Sequence, residues 1–295
     1  MNIYIIIPVF NEENYLNDCI DSIINQSFTP KKLLLVNDNS TDDSETIIKK
    51  YSQSISWIEY LNTASDQGHI PGEKVINAFY KGFNKINNDY DIICKFDADI
   101  ILPENYLESI RNMFIENPKI GIAGGNLYIK KNNEWIFEKV SSKDHIRGPI
   151  KAYRKKCFED INGLRKSIGW DTVDVLIAQY NNWEIKTDKS LKVKHLKQTG
   201  KNYSYNSKFL QGEALYKMRF GPILSIISLL KTSINTGKFL MIFFAFFGYI
   251  AAALKRKERI VSKDQGKFIR KYRRKKAFSN LLKLLEILNL HFPQK

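Results

Sequence analysis

Apolar runs and amphipathic stretches alternate along the N-terminal part of this chain. The runs are IYIIIPV (Ile3 to Val9), LLLV (Leu33 to Val36), WIEYL (Trp57 to Leu61), DIICKF (Asp91 to Phe96) and GIAGGNLYI (Gly121 to Ile129). A short run that is apolar at every position suits a strand covered on both faces. Between the runs, apolar residues recur at helical spacing. Glu12 to Gln26 shows Tyr15, Leu16, Cys19, Ile20, Ile23 and Ile24; Asp42 to Tyr51 shows Ile47, Ile48 and Tyr51; Glu73 to Lys85 shows Val75, Ile76, Phe79 and Phe83; and the stretch after Pro103 shows Tyr106, Leu107, Ile110, Met113 and Phe114. Each pattern predicts an amphipathic helix. Strand and helix in strict alternation specify an α/β layered fold with a Rossmann-like, mainly parallel sheet. Ligands of such folds bind beyond the carboxyl ends of the strands. PVFNEEN, NDNSTDD and DAD follow the first, second and fourth strands, so all three are expected along one edge of the sheet.

Asp97 and Asp99 break an otherwise apolar stretch, CKFDADIIL. Unpaired carboxylates placed there would cost several kcal/mol each, comparable with the whole margin of fold stability. They therefore require a positive partner. Asp89-Tyr90-Asp91 has the same spacing but precedes the fourth strand. It is expected at the opposite edge, as a solvated turn.

Four blocks, IIIPVFNEENYLNDCIDSI, LLLVNDNSTDDS, FDADIILPENYL and GWDTVDVLIAQYNNW, resemble the inverting glycosyltransferases of family 2, which have the GT-A fold. The resemblance implies a nucleotide-diphospho-sugar donor, UDP- or GDP-linked, a divalent Mn²⁺ or Mg²⁺, and an acceptor hydroxyl. By the same resemblance Asp99 is the direct metal ligand and Asp97 reaches the ribose or the metal. His195 completes the metal site or touches the diphosphate. Asp38 corresponds to the aspartate that accepts from a nucleobase N–H. Pro8, Val9, Asn11 and Glu12 form the wall around base and ribose. Lys74 is a candidate phosphate partner, with Gly68 and Gly72 permitting close backbone approach. Asp171 corresponds to the catalytic base, with Asp174 one helical turn later as the alternative; both are expected to face the cleft, with Val173, Leu176, Ile177 and Tyr180 facing the core. Where the family usually has a Glu-Asp pair, this chain has Trp170-Asp171. Asn39, Ser40, Thr41 and Asp42 suit the start of the following helix, because such residues satisfy its free amides.

Charge separates the C-terminal part from the rest. Net charge is +15, and the stretch from Lys255 to Lys276 alone carries +10, from twelve Lys and Arg against Glu258 and Asp264. Just before it, Phe239 to Leu254 contains sixteen uncharged residues. A membrane-spanning helix needs about twenty. Together with Ser225 to Leu230 this predicts helices lying in a membrane surface, with a short span anchored by Lys238 and Lys255 as the alternative. Phe278, Leu281, Leu282, Leu285 and Leu288 add a helical apolar stripe. The expected organisation is a catalytic domain over residues 1–205 and a helical, membrane-associating basic region over residues 206–295. The expected location is the cytoplasmic face of the cell membrane, against anionic lipid, with a glycan or lipid-linked acceptor. The N-terminus, MNIYIIIPVF, lacks a basic leader and reads as a buried strand. Three distant cysteines, Cys19, Cys94 and Cys157, form neither a disulfide framework nor a zinc pattern.

Two other functions compete. A nucleotidyltransferase should carry a glycine- and lysine-bearing phosphate loop after the first strand, and PVFNEEN has neither residue. A nucleic-acid binder driven by the basic segment leaves Asp38, Asp97, Asp99 and Asp171 unexplained, because clustered carboxylates repel a polyanion. No nucleic-acid partner is expected.

Overall fold

In a computed structural model of the chain, which describes residues 1–64, 72–138, 145–197, 205–236 and 241–287, the apolar runs become strands of one nine-stranded sheet. The strands β1 (Ile3–Val9), β2 (Lys32–Asp38), β3 (Ile58–Thr63) and β4 (Ile92–Phe96) run parallel in the order β3-β2-β1-β4. Six of the seven residues of β1 are buried, so neither face can alternate with polar side chains. The helices α1 (Leu16–Ile24), α2 (Ser44–Ser54), α3 (Glu73–Phe83) and α4 (Tyr106–Glu116) arise where helical spacing predicts them. Leu16, Cys19, Ile20 and Ile23 of α1, and Tyr106, Leu107, Ile110 and Phe114 of α4, are all buried. The three cysteines are buried free thiols.

Beyond β4 the sheet, parallel up to that point, takes in antiparallel strands as well. The strand β5 (Ile100–Ile101) is short. A long strand, β6 (Ile120–Lys131), turns through Asn132 and Asn133, both at positive φ, into β7 (Glu134–Phe137). That is the backbone a tight hairpin requires. Next, β8 (Ile150–Arg154) inserts antiparallel between β4 and β6. After α5 (Lys155–Asp160) and α6 (Trp170–Tyr180), β9 (Glu184–His195) runs parallel to β6 and antiparallel to β5. The sheet is therefore mixed. A parallel neighbour needs a crossover, usually helical, and no helix is present among the described residues between β6 and β8.

The chain divides into two compact units, Met1–Asn202 and Tyr203–Lys295. The second contains α7 (Tyr205–Lys217), α8 (Pro222–Thr236), α9 (Met241–Leu254) and α10 (Lys263–Ile287). Within it α7 and α9 touch backbone to backbone. A Cβ on Gly212 would lie 1.6 Å from the Ala245 carbonyl oxygen, and one on Gly248 1.9 Å from that of Phe209. Ile223, Ile226, Ile227 and Leu230 form an exposed stripe on α8, and Phe243, Phe247, Ile250 and Leu254 form another on α9. Among the described residues no helix is long and apolar enough to cross a membrane. Gly68, Lys238, Phe239 and Leu288 lie outside the described residues, as do the side chains of Phe278, Leu281, Leu282 and Leu285.

Candidate active site

The ends of β1 and β2 are stitched together by side chains. Asn11 adopts φ +54°, and its backbone N–H donates to Ser40 Oγ at 3.1 Å. The Thr41 N–H donates back to Asn11 Oδ1 at 2.8 Å. The backbone N–H of Glu12 donates to Ser44 Oγ at 2.9 Å, and that of Glu13 to Asp42 Oδ2 at 3.0 Å. Of the four residues expected at the start of α2, Asp42 accepts from Ser44 N–H at 3.1 Å, while Ser40 and Thr41 serve the first loop instead. Pro8 and Val9 precede this rim on β1, with Val9 buried. Asp38 closes β2 in a buried position, where Thr63 Oγ1 donates to its Oδ1 at 3.0 Å and Lys81 Nζ lies 3.9 Å away. Lys74, in the first turn of α3, places its Nζ 3.7 Å from the ring centroid of the exposed Phe10, a cation–π contact at the same rim.

The two aspartates after β4 face positive charge, from two sources. Asp97 pairs with Lys95, two residues earlier on the same strand. Asp99 Oδ2 lies 3.6 Å from His195 Nε2, because the β5–β9 register sets His195 opposite Ile100. The other ring nitrogen, Nδ1, is 3.0 Å from Glu138 Oε2, and Glu138 pairs in turn with Arg147. Burial alone would lower the His195 pKa, but Asp99 and Glu138 outweigh it and raise it to about 9. Glu12 is pushed up to about 7, chiefly by burial; Lys197, 2.5 Å away, opposes the rise, and Asp99 and Asp97 add to it. Among the described residues no three His, Cys, Asp or Glu side chains are already gathered as a metal cluster. The Asp89-Tyr90-Asp91 turn lies at the start of β4, where exposed Asp91 accepts from the Asn2 N–H at 2.7 Å.

Asp171 and Asp174 do not share the cleft. Asp171 is half-buried in the first turn of α6, but Asp174 is fully buried. Both oxygens of Asp174 accept from Lys151 Nζ at 2.7 Å, and Tyr153 OH donates to Oδ2 at 2.5 Å. Tyr180, expected in the core, is exposed. The cause is Lys151. A buried ammonium on β8 demands a carboxylate on the inner face of α6, and Asp174 supplies it.

A family model for glycosyl transferase family 2 matches residues 4–168, more than half of the chain. The chain belongs to glycosyltransferase family 2. Glycosyltransferase GlyA of Streptococcus pneumoniae is 30% identical over 160 residues, which cover 54% of this chain and 20% of GlyA. An uncharacterized glycosyltransferase of Haemophilus influenzae is 33% identical over 141 residues, 48% of this chain and 53% of that protein. This chain thus spans about half, or much less, of the curated relatives it matches. Among solved structures, the mannosyltransferase PcManGT of Pyrobaculum calidifontis, in complex with GDP-Man and Mn²⁺, gives a TM-score of 0.56 at 13% identity, covering 99% of this chain and 81% of that one. S. aureus TarS 1–349, in complex with UDP-GlcNAc, gives 0.55 at 15% identity, covering 91% and 78%. These likenesses are of fold: the mixed sheet is that of GT-A glycosyltransferases.

In this family 2 member Asp99 meets His195 beyond β4, while Asp97, two residues earlier, pairs with Lys95. Lys95 also places its Nζ 5.1 Å from the ring centroid of Trp170, the residue before Asp171. Asp174 is turned inward, against Lys151 and Tyr153. Sequence reasoning missed Lys81, Lys95, Glu138, Arg147, Lys151 and Tyr153. Lys95 alone carried a visible signal, as a lysine inside the apolar run DIICKF.

Proposed function

We propose that this chain is an inverting glycosyltransferase that moves a sugar from a nucleoside-diphosphate donor to an acceptor hydroxyl. One observation carries the reading. Asp97 and Asp99 follow β4 within electrostatic reach of Glu12 from the first loop, and Lys95, the partner of Asp97, lies 5.1 Å from the ring of Trp170, the residue before Asp171. Asp38 would accept an N–H from the nucleobase, with Pro8, Val9, Asn11 and Glu12 around base and ribose and Lys74 toward phosphate. The fold neighbours were solved with UDP-GlcNAc and with GDP-Man, whose bases both present such an N–H.

Asp99, Asp97 and His195 fit Mn²⁺ or Mg²⁺, because hard carboxylate oxygens and one imidazole suit these ions. Glu138 holds His195 Nδ1 and leaves Nε2 on the side of Asp99, the usual second contact of a metal-binding histidine. When bound, the ion supplies Lewis-acid stabilisation of negative charge on the departing diphosphate. Asp171 takes the proton of the acceptor O–H while that oxygen bonds to the anomeric carbon. The bond from that carbon to the diphosphate oxygen breaks on the opposite face, and the nucleoside diphosphate leaves with the electron pair.

Location is part of the same proposal. The exposed apolar stripes of α8 and α9 and the basic segment after them support a seat on an anionic membrane, at its cytoplasmic face. An enzyme placed there would meet a lipid-linked glycan acceptor.

A thermal-shift screen of UDP- and GDP-sugars with and without Mn²⁺ tests the donor and metal. A donor present at 100 times its Kd should stabilise the fold by about 2.7 kcal/mol. Asp99→Ala is expected to lose the Mn²⁺-dependent part of the shift. An unchanged shift in that variant rules out the metal role of Asp99.

A further inference from the structure

Two lysines lie where lysines are seldom found. Lys95 on β4 and Lys151 on β8 are 1% and 0% exposed and stand opposite each other in antiparallel register. An ammonium is tolerated in such a place only when it is paired. Lys95 pairs with Asp97. Lys151 Nζ donates to both oxygens of Asp174 and to the backbone carbonyl of Asp171, the last at 2.5 Å. The Trp170 ring lies over both ammoniums, its centroid 5.1 Å from Lys95 Nζ and 5.6 Å from Lys151 Nζ. Gly148 leaves room for that turn: a Cβ there would come within 2.8 Å of Trp170 Cζ2 and 3.4 Å of Asp171 Cβ. The first turn of α6 is thus held from beneath at Trp170, at the Asp171 carbonyl and at Asp174.

We propose that Lys151 is the positioning residue of the Asp171 base, and that Lys95 ties the same floor to Asp97 on the donor side. The proposal rests on the reading of Asp171 as the base. In-line displacement needs the attacking oxygen and the departing diphosphate on opposite sides of one carbon, so the donor and acceptor carboxylates must keep a fixed separation. Two ammoniums on paired strands, under one indole, provide it. Lys151 touches neither reactant; it acts through the helix turn. Its loss should therefore spare nucleotide binding and slow turnover.

The test uses the full chain. Lys151→Met, Tyr153→Phe and Asp174→Val are combined, so that the polar network is removed together and no charge is orphaned. Thermal unfolding checks the fold. Calorimetric titration with UDP and GDP in the presence of Mn²⁺ reads nucleotide affinity. Release of nucleoside diphosphate from UDP-GlcNAc or GDP-mannose, whichever stabilises the parent protein, reads turnover with water as acceptor. The expected result is nucleotide affinity and donor KM unchanged within about twofold and kcat lowered about 100-fold, the scale of a 1 Å misplacement. A folded triple variant with the parent kcat overturns the proposal. If the triple variant does not fold, Gly148→Ala decides by the same split, because it crowds Trp170 and leaves every charge in place. Asp171→Asn is measured alongside. Should it still turn over donor, the base assignment falls and the positioning role falls with it. Should it be inactive while the other variants match the parent, only the positioning role is lost.

Discussion

His195 shows how a single side chain acquires a task through its neighbours. Its ring is pinned on one side by Glu138 and presents the other to Asp99. Removing the charge of the pinning carboxylate should free the ring without touching Asp99. We therefore expect Glu138→Gln to weaken Mn²⁺ binding by about 10- to 100-fold, the range found for outer-shell partners. Titration of the full chain with Mn²⁺ measures this directly, and an unaltered affinity would remove Glu138 from the proposed metal site. At this scale the sequence was partly readable. Asp38, Asp97 and Asp99 stood out because each follows an apolar strand. His195 was also a candidate and Lys95 was visible within its apolar run, but the other charges that hold these groups were not. Lys81 reaches Asp38 from α3, Glu138 reaches His195 from the end of β7, and Lys151 reaches Asp174 from β8. Those pairings depend on strand order and register, which spacing along the chain does not encode. Asp174 was misread for the same reason. Its helical spacing from Asp171 is real, but a lysine on a strand not yet identified turned it inward.

Among elements, most of the strands that were legible, β1, β2 and β4, are buried on both faces, whereas β3 was legible although largely exposed. β8 was not: IKAYR carries Lys151 and Tyr153, polar in sequence yet buried in the fold. β9 is hidden by exposed lysines, and alternation emerges only at its end, where Leu191, Val193 and His195 are buried between Lys192 and Lys194. In the second unit, α7 is fastened by charge as well as by its glycine contact with α9. Glu213 is bonded by Lys257 at 2.7 Å and by Lys217 at 3.0 Å. Burial would push Glu213 up, but the two lysines outweigh it and hold its pKa below the ordinary carboxylate value. A depressed carboxylate contributes stability that is complete above its unfolded pKa and fades as pH falls through the folded one. The protection of amides in α7 and α9, taken relative to the intrinsic exchange rate at each pH, should accordingly fall in acid, below the unfolded glutamate value of about 4.3. Glu213→Gln should lower that protection already at pH 7, corresponding to a loss of about 1 kcal/mol, and flatten the response. Identical exchange in both proteins at pH 7 would show that the pair contributes nothing.

For the molecule as a whole, charge and exposed apolar surface are both concentrated toward the C-terminus. Lys267, Arg270, Lys271 and Arg274 line one shallow depression on α10, one and two turns apart. Phe243 and Phe247 are each more than 60% exposed on α9. Flotation with vesicles tests whether these features bind lipid. The parent chain should rise with phosphatidylglycerol vesicles and much less with phosphatidylcholine alone. Lys267→Gln with Arg270→Gln should weaken binding roughly tenfold or more, at about 1 kcal/mol per charge near the surface. Phe243→Glu with Phe247→Glu should abolish it. A parent protein that fails to float with either vesicle contradicts the proposed seat. Because the cations and the phenylalanines belong to different helices, arrival and retention become separable events. Long-range attraction governs how quickly the protein is captured, and wedged aromatic rings govern how long it stays. Salt added beforehand should then prevent adsorption, whereas the same salt added afterwards should leave most molecules in place, so the order of mixing itself becomes an observable.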